Sequence, residues 1–291
     1  MPEPARQTAQ SLPCVVVAAR QARALLSGYP WVAPEGLAEG RRGLSPGACV
    51  ALVDGQGRSL GTALASPRAQ VALRLWSREG EPVTAQTVMG RAAAAWRRRA
   101  SLREREDTDA YRLVHGEGDA LPGLFVDAWG PYVAMETQTA AWDPWLPHVL
   151  EALQRLERPR GILLRRRVPG PGGAVPEGRP ELVKGAAPPG ELGVRESGLR
   201  YRVRLADLKP GLFLDERENR AWTASQCVGK TVLNAFAFTG AFSAAALAAG
   251  AGQVVSLDLS APVLARLNAN LRLNRLDTPR HEAVRGEALA T

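Results

Sequence analysis

The chain is 291 residues long, with 45% hydrophobic and 23% charged residues. This composition excludes long disordered stretches and leaves room for two or three compact units. Its 37 lysines and arginines exceed its 29 acids and give a net charge of +8. A polyanion such as nucleic acid is therefore the first partner to consider, and a solvated basic surface is the alternative.

The cysteines and the N-terminus bear on location. Cys14, Cys49 and Cys227 are widely separated, so neither a disulfide framework nor a zinc site is expected, and a reducing, cytoplasmic setting is predicted. The N-terminal residues lack the apolar run of about 20 residues that a membrane helix needs. We therefore expect neither a signal peptide nor a membrane anchor.

Residues 1–85 alternate short apolar runs with Gly- and Pro-containing turns, a pattern typical of a small β-rich barrel or sandwich. Tyr29, Pro30 and Trp31 form an aromatic cluster within it. Such rings serve either as core filling or as a platform on which bases stack. The sequence leaves both roles open.

Residues 86–109 have high helix propensity and form a basic helical linker in this interpretation. Arg97, Arg98 and Arg99 are the candidate RNA contacts, because they could neutralise phosphates. Consecutive arginines spread around a helix instead of lining one face. A solvated linker helix is the alternative.

Residues 110–205 predict a central α/β domain, with strand-like runs around turns and an amphipathic stretch near "PWLPHVLEALQRL". The runs "GILLRRRV" and "LRYRVRL" are expected to close this domain, on either side of the flexible "PGPGGAVPEGRP". His115 and His148 have no histidine or cysteine partner at ligand spacing, so no metal site is expected.

Residues 206–291 change to strand and helix alternation, typical of a βαβ unit of the doubly wound class. Asp215 is placed as the N-cap of a first helix, and Ser260 with Pro262 marks the start of the last one. The predicted elements are a strand at 231–236, a helix at 241–249, a strand at 253–258 and a helix at 261–274.

The turn after the first of these strands, "FTGAF", predicts a nucleotide pocket. Gly240 lets the backbone approach a ligand, and Thr239 caps the helix or bonds the ligand. Asp258 ends the second strand, where a carboxylate accepts hydrogen bonds from both ribose hydroxyls. Because the G-x-G-x-x-G spacing of dinucleotide folds is absent, a nucleoside without pyrophosphate fits better, and S-adenosylmethionine is such a ligand.

Several ordered stretches between residues 110 and 277 resemble class I methyltransferases related to ribosomal RNA large subunit methyltransferase I, of the 23S rRNA 5-methylcytosine type. These stretches are "GEGDALPGLFVDAWG", "GVRESGLRYRV", "GLFLDERENR", "VLNAFAFTGAF", "VVSLDLS" and "ANLRLNRLD". The N-terminal "LLSGYPWV" also resembles the PUA-type RNA-binding domain of that family.

The resemblance implies an α/β protein with an N-terminal PUA-like β-barrel, a central EEHEE-like domain and an incomplete Rossmann-like methyltransferase domain. It implies contacts to S-adenosylmethionine from four residues of the first strand and turn, and ribose binding by Asp258. Glu287 stands where the family has an aspartate for the adenine amino group, and Pro210 stands where it usually has a threonine. The four residues are Asn234, Phe236, Thr239 and Gly240.

The family attacks cytosine carbon 6 with a cysteine thiolate, transfers the methyl group to carbon 5 and then removes the carbon 5 proton. The resemblance places that cysteine and an Asp-Pro-Pro motif beyond Thr291, so no catalytic residue is assigned and a truncated chain without turnover of its own is expected. The alternatives are a non-catalytic RNA-binding protein derived from such an enzyme and a small-molecule methyltransferase. The resemblance also suggests a homodimer.

Overall fold

The computed structural model describes residues 12–40, 43–168 and 178–289. Most of the segment "PGPGGAVPEGRP", predicted as flexible, lies outside these ranges, as does most of the N-terminal stretch. No helix among the described residues is both long and apolar enough to cross a membrane.

The first unit is a six-stranded sheet in the order β2-β6-β5-β4-β1-β3, with β1 parallel to β4 and the other pairs antiparallel. Helix α1 (Ala19–Leu26) packs its Leu25 into the same core as the strands. The strands are β1 (Cys14–Val17), β2 (Trp31–Val32), β3 (Leu37–Glu39), β4 (Cys49–Val53), β5 (Ser59–Ala65) and β6 (Leu73–Ser77).

Trp31 joins this unit to the next one. Its indole N–H donates to Glu117 at 2.7 Å, and Arg74 forms an ion pair with the same carboxylate, also at 2.7 Å. The Trp31 ring thus makes an intramolecular contact, whereas its neighbour Tyr29 is 51% exposed.

Helix α2 (Ala85–Arg98) begins at a capping box, in which Thr84 and Thr87 satisfy each other's backbone N–H groups. Its apolar side, including Val88 and Ala95, belongs to the largest buried cluster. The helix therefore packs as part of the central unit instead of serving as a solvated linker, and the short helix α3 (Ala100–Arg103) follows it.

The central sheet has five strands in the order β11-β10-β9-β8-β7, one strand more than an EEHEE arrangement. Helix α4 (Leu146–Leu156) lies between β9 and β10 in the chain and makes β10 parallel to β9. The strands are β7 (Ala110–His115), β8 (Leu124–Trp129), β9 (Tyr132–Thr137), β10 (Gly161–Arg166) and β11 (Glu181–Gly185).

A separate hairpin of β12 (Leu192–Glu196) and β13 (Leu199–Val203) follows. The prediction that "LRYRVRL" closes the central sheet was wrong. Val194 and Tyr201 pack instead into the core of the C-terminal unit, because their alternate, inward-facing positions meet its helices. The hairpin also contacts the central unit, where the Asp109 N–H donates to the Arg195 carbonyl at 3.0 Å, so the predicted boundary at residue 205 stays a prediction.

The C-terminal unit is a three-stranded parallel sheet in the order β14-β15-β16. Its elements are α5 (Arg217–Gln226), β14 (Thr231–Ala235), α6 (Ala241–Ala248), β15 (Gln253–Asp258), α7 (Ala261–Leu273) and β16 (His281–Arg285). The predicted βαβ unit is present. Leu233 on β14 is 68% exposed, so this edge strand leaves apolar surface uncovered by the described residues.

The predicted N-cap at Asp215 was wrong. Asp215 lies in a 3₁₀ turn (Leu214–Glu216), and α5 begins after Glu216 without a side-chain cap. A buried ion cluster fixes α5 instead: Glu196 of β12 accepts from Arg220 at 2.6 and 2.9 Å and pairs with Arg217 at 3.2 Å.

Candidate cofactor-binding site

Asp258 lies where β15 ends, and the backbone around it fixes its carboxylate. One oxygen accepts the Phe238 N–H at 3.0 Å, and the other accepts the Ser260 N–H at 3.0 Å. Each oxygen keeps a further lone pair, since a carboxylate offers about four acceptor positions. The carboxylate is therefore held in one orientation and can still accept hydrogen bonds from a ligand.

The loop between β14 and α6 runs past this carboxylate in an unusual backbone conformation. Phe236 and Phe238 have φ angles of 58° and 49°, which a non-glycine residue adopts only when surrounding contacts enforce them. The bond from the Phe238 N–H to Asp258 and one from the Ala237 N–H to the Leu257 carbonyl at 3.0 Å provide that enforcement. The Phe236 ring is left 67% exposed at the carboxyl edge of the sheet.

Gly240 serves helix packing, and the close approach of its backbone to a ligand stays a prediction. A Cβ atom there would lie 2.4 Å from Cγ of Leu267, which is fully buried on α7, and the φ angle is +80°. Glycine is therefore required so that α6 and α7 can pack closely.

Thr239 likewise faces the interior, and its predicted capping role was wrong, because α6 begins after Gly240 without a side-chain cap. Its contact with a ligand stays a prediction. Thr239 is fully buried, its hydroxyl donates to the Gly211 carbonyl, and its own carbonyl accepts from Asn270 at 3.0 Å. The role of Thr239 is to join the loop to the segment before α5.

Asn234 begins a chain of polar contacts behind the strands. Its amide donates to the Ser243 hydroxyl at 2.8 Å, and Ser243, Ser256 and His281 continue the chain at 2.7 and 2.9 Å. Burial lowers the pKa of His281, which favours the neutral ring beside Ser256. Asn234 thus fixes the interior side of β14, and its amide oxygen has no intramolecular donor in the described ranges.

Glu287 follows β16 by two residues, and β16 is parallel to β15 with Arg285 opposite Asp258. Because the carboxyl ends of parallel strands meet at one edge, Glu287 is exposed on the same edge as Asp258 and Phe236.

Comparison with known proteins identifies two families that this chain matches. Residues 176–290 match the S-adenosylmethionine-dependent methyltransferase family, and residues 15–78 match the PUA-like domain. Ribosomal RNA large subunit methyltransferase I of Cronobacter sakazakii is 32% identical over 94% of this chain, which covers 69% of that relative. The homologue of the same name from Escherichia coli shows the same identity and coverage.

The chain belongs to the family of ribosomal RNA large subunit methyltransferase I. A methyltransferase structure from Streptococcus mutans has a TM-score of 0.81 and 24% identity, with 96% of this chain and 72% of that one covered. A second structure, a methyltransferase complexed with SAH, also has a TM-score of 0.81 and covers 96% of this chain and 71% of its own. The predicted α/β fold, PUA-like unit and methyltransferase fold are confirmed.

The residues present fit the cofactor of this methyltransferase family. A fixed carboxylate suits the ribose hydroxyls, and an exposed aromatic ring beside it suits a purine face. S-adenosylmethionine would meet Asp258, Phe236 and Glu287 at this edge. Contacts to it from Asn234, Thr239 and Gly240 stay a prediction.

The arginines predicted as RNA contacts divide into two groups. Arg98 and Arg99 both bind the buried Asp119, at 2.6 Å each to the same oxygen. Burial opposes ionisation of Asp119, but hydrogen bonds from Arg99 and the His115 N–H, with the charges of both arginines, hold the pKa of this carboxyl below its ordinary value. Arg99, whose side chain is 16% exposed, thus has a structural contact, whereas the Arg98 side chain is 55% exposed in spite of its ion pair. Arg97 is exposed and has no partner in the described chain, and RNA contact by these arginines stays a prediction.

The cysteines lie away from the cofactor edge. Cys14 and Cys49 belong to the first unit, where burial raises the pKa of the Cys49 thiol. Cys227 precedes the amino end of β14, and the five residues of that strand separate it from the carboxyl edge by about 16 Å. Among the described residues, no group of three or more His, Cys, Asp or Glu could hold a metal.

Residues that the sequence did not single out also shape the site. The rings of Phe213 and Phe238 lie 5.1 Å apart, and Asn270 connects α7 both to the Thr239 carbonyl and to the Arg202 N–H. Phe213 and Asn270 lie within the stretches "GLFLDERENR" and "ANLRLNRLD", which resemble the methyltransferase family. That resemblance is the sequence feature that could have identified these two residues.

Proposed function

We propose that this chain binds S-adenosylmethionine at the carboxyl edge of β14–β16 and supplies the cofactor-binding part of a site for methylation of carbon 5 of cytosine in ribosomal RNA. The observation that carries the cofactor proposal is the carboxylate of Asp258, held by two backbone N–H groups. The ribosomal RNA substrate is supported by the names of the relatives, which are 32% identical. Carbon 5 of cytosine is supported by the resemblance alone.

In this proposal, the protein supplies binding and orientation, and the cofactor supplies a methyl group on a sulfonium centre. Asp258 accepts both ribose hydroxyls and fixes the sugar. Phe236 covers one face of the adenine, and Glu287 accepts from its amino group. Asn234 supports β14 from behind.

The thiolate that cytosine carbon 5 chemistry requires does not come from Cys14, Cys49 or Cys227, because none of them lies at the cofactor edge. We therefore expect these residues to bind cofactor without transferring the methyl group to cytosine. This placement of the cysteines favours the second candidate function, a non-catalytic RNA-binding protein.

Isothermal titration with S-adenosylhomocysteine tests the cofactor site. Binding by the unaltered chain is expected, with affinity lowered about tenfold or more in Asp258→Asn. Asp277→Asn, which alters an exposed aspartate on the same unit, is the matched control and should bind as the unaltered chain does. Equal affinities for the two variants would contradict the site.

Incubation with protein-free ribosomal RNA and methyl-labelled S-adenosylmethionine separates the two functions. We expect RNA binding without label transfer by this chain. Appearance of 5-methylcytosine in nuclease digests analysed by mass spectrometry would show that the chain has its own nucleophile and would refute the second candidate.

The homodimer and the cytoplasmic location that the sequence suggested remain proposals. Light scattering coupled to gel filtration tests the first, since a mass near twice 31.1 kDa is expected.

A further inference from the structure

A cleft of about 400 Å³ opens between the central sheet and residues 205–215, the segment that leads to α5. Its volume lies within the range of small-molecule sites. Side chains of β8 and β9, including Asp127 and Glu136, form one wall, and Lys209, Phe213 and Asp215 lie on the opposite wall. Of these residues, Phe213 also contacts Phe238 beside the cofactor edge, and the others lie outside that edge.

A buried and a half-buried arginine brace the wall formed by residues 205–215. Arg165, which is 8% exposed, donates to the carbonyls of Ala206 and Asp207 at 3.3 and 2.9 Å. Arg266 of α7 donates to the Pro210 carbonyl at 2.7 Å. The cleft is therefore preformed, which lowers the entropic cost of binding a ligand.

Most charges in the cleft are already paired. Arg112 binds Asp127 through two hydrogen bonds of 2.8 and 3.1 Å, and Arg167 pairs with Glu136 at 3.5 Å. Arg266 pairs with Asp207 at 3.3 Å, and Arg165 is bound to carbonyls.

In contrast, the exposed Lys209 and Asp215 have no hydrogen bond or ion pair of their own within the described ranges. Among the described lining residues, the cleft thus offers the ammonium group of Lys209 and the carboxylate of Asp215 without a hydrogen bond or ion pair, and the charge of Asp215 acts on the neighbouring Arg112 and Asp127.

The cleft also has an apolar surface that continues to the cofactor edge. Phe213 is 43% exposed, and its ring contacts Phe238, whose N–H donates to Asp258. Trp129 lies in the cleft wall at 2% exposure, with no acceptor for its indole N–H in the described chain. The rings of Phe213 and Phe238 would therefore lie between a ligand in the cleft and the Asp258 carboxylate assigned to the cofactor.

We propose that this cleft binds one unpaired nucleotide of the RNA substrate, with its base stacked on Phe213, its amino group donating to Asp215 and its phosphate at Lys209. An exposed aromatic ring stacks a base, a free carboxylate accepts from an amino group such as that of cytosine, and a free ammonium group neutralises a phosphate. The proposal rests on the proposed RNA function. It predicts a preference for cytosine over uracil, which has no amino group.

Fluorescence anisotropy with labelled pentacytidylate and pentauridylate, in the presence of S-adenosylhomocysteine, tests the cleft. The unaltered chain should bind pentacytidylate more tightly, and Asp215→Asn should remove that preference. Phe213→Ala should weaken binding of both oligonucleotides about tenfold, whereas Phe213→Trp, which keeps a stacking ring, should retain it.

Lys209→Ala and Lys230→Ala form a matched pair, because both remove one exposed positive charge and Lys230 lies at the start of β14, outside the cleft. Removal of one positive charge should weaken RNA binding slightly in both variants. Lys209→Ala should cause a larger loss of affinity and a larger decrease in salt dependence than Lys230→Ala, because it also removes a phosphate contact. Equal losses in the two variants would mean that the RNA is attracted by net charge alone and would overturn the proposal.

The two proposals can fail separately. Unchanged oligonucleotide affinity in Asp215→Asn and Phe213→Ala, with intact S-adenosylhomocysteine and ribosomal RNA binding, would refute the cleft and leave the proposed function in place. Absence of ribosomal RNA binding by the unaltered chain would refute the RNA function itself, whatever the result for the cleft variants. Circular dichroism of each variant establishes that it is folded.

Discussion

Asp258→Asn replaces a carboxylate by an amide of nearly the same size and so changes hydrogen bonding without changing packing. In the structure, separate oxygens of Asp258 accept the N–H groups of Phe238 and Ser260. An amide has one acceptor oxygen and one NH₂ group. One of the two backbone donors would therefore face another donor.

The cost follows from the bond that is lost. A hydrogen bond to a charged group contributes about 1.5–3 kcal/mol, so the free energy of unfolding should fall by about that amount even without ligand. Loss of the bond to Phe238 would also release its left-handed backbone at φ 49°, since that bond helps to enforce it. The variant should thus lose both stability and the loop conformation that Phe236 requires.

Urea denaturation followed by tryptophan fluorescence measures this loss, with Asp277→Asn as the control for removal of a negative charge from the same unit. Asp277→Asn should shift the free energy of unfolding by less than about 0.5 kcal/mol, because surface substitutions away from special features have small effects. If Asp258→Asn unfolds at the same urea concentration as Asp277→Asn, the two backbone hydrogen bonds do not stabilise the carboxyl edge of β14–β16, which would contradict this prediction.

Three further predictions concern the surrounding framework, all measured by urea denaturation. Gly240→Ala should lower the free energy of unfolding by about 2–4 kcal/mol, because the new Cβ would lie 2.4 Å from Cγ of Leu267 at a φ of +80°. An unchanged free energy of unfolding would contradict the packing role of Gly240. Glu196→Gln should lower the free energy of unfolding by about 3–5 kcal/mol, because it leaves two buried arginines without a counter-charge. Glu191→Gln, which also removes the partner of two arginines but at the surface, should lower it by less than about 1 kcal/mol. Similar losses in the two variants would show that burial of the pair does not determine its contribution. Asp119→Asn should destabilise the protein at pH 7, and because the folded pKa of Asp119 is lowered, this difference should shrink as the pH falls below about 4; a difference independent of pH would contradict it.

The βαβ unit was predictable because its signals are local. The strand at 253–258 matches β15, and the predicted helices agree with α6 and α7 to within one residue at their ends. Apolar runs of five or six residues and alanine-rich helices determine such elements without reference to distant parts of the chain.

The errors have a common physical cause, which is packing between segments far apart in the chain. Strand β13 resembles β10 in sequence, but its Tyr201 and Val203 are buried against the C-terminal unit, where the Arg202 N–H donates to Asn270 at 3.0 Å. Arg99 was predicted to contact RNA, but in the structure it donates to Asp119, which lies 20 residues later in the chain. A partner at that distance leaves no periodic signal in the sequence.

The stretch "FTGAF" shows why a motif can indicate a function correctly while individual roles differ from those expected. Thr239 and Gly240 face the interior, where the first bonds Gly211 and the second makes room for Leu267. The loop before them passes through Phe236 and Phe238 in left-handed conformations that the Phe238 and Ala237 N–H bonds enforce, with the Phe236 ring and the fixed carboxylate of Asp258 on the exposed edge. The residues that shape the loop and the residues proposed to meet the ligand are therefore adjacent in sequence but point to opposite sides, and a single substitution such as Gly240→Ala should disturb ligand binding without touching the ligand.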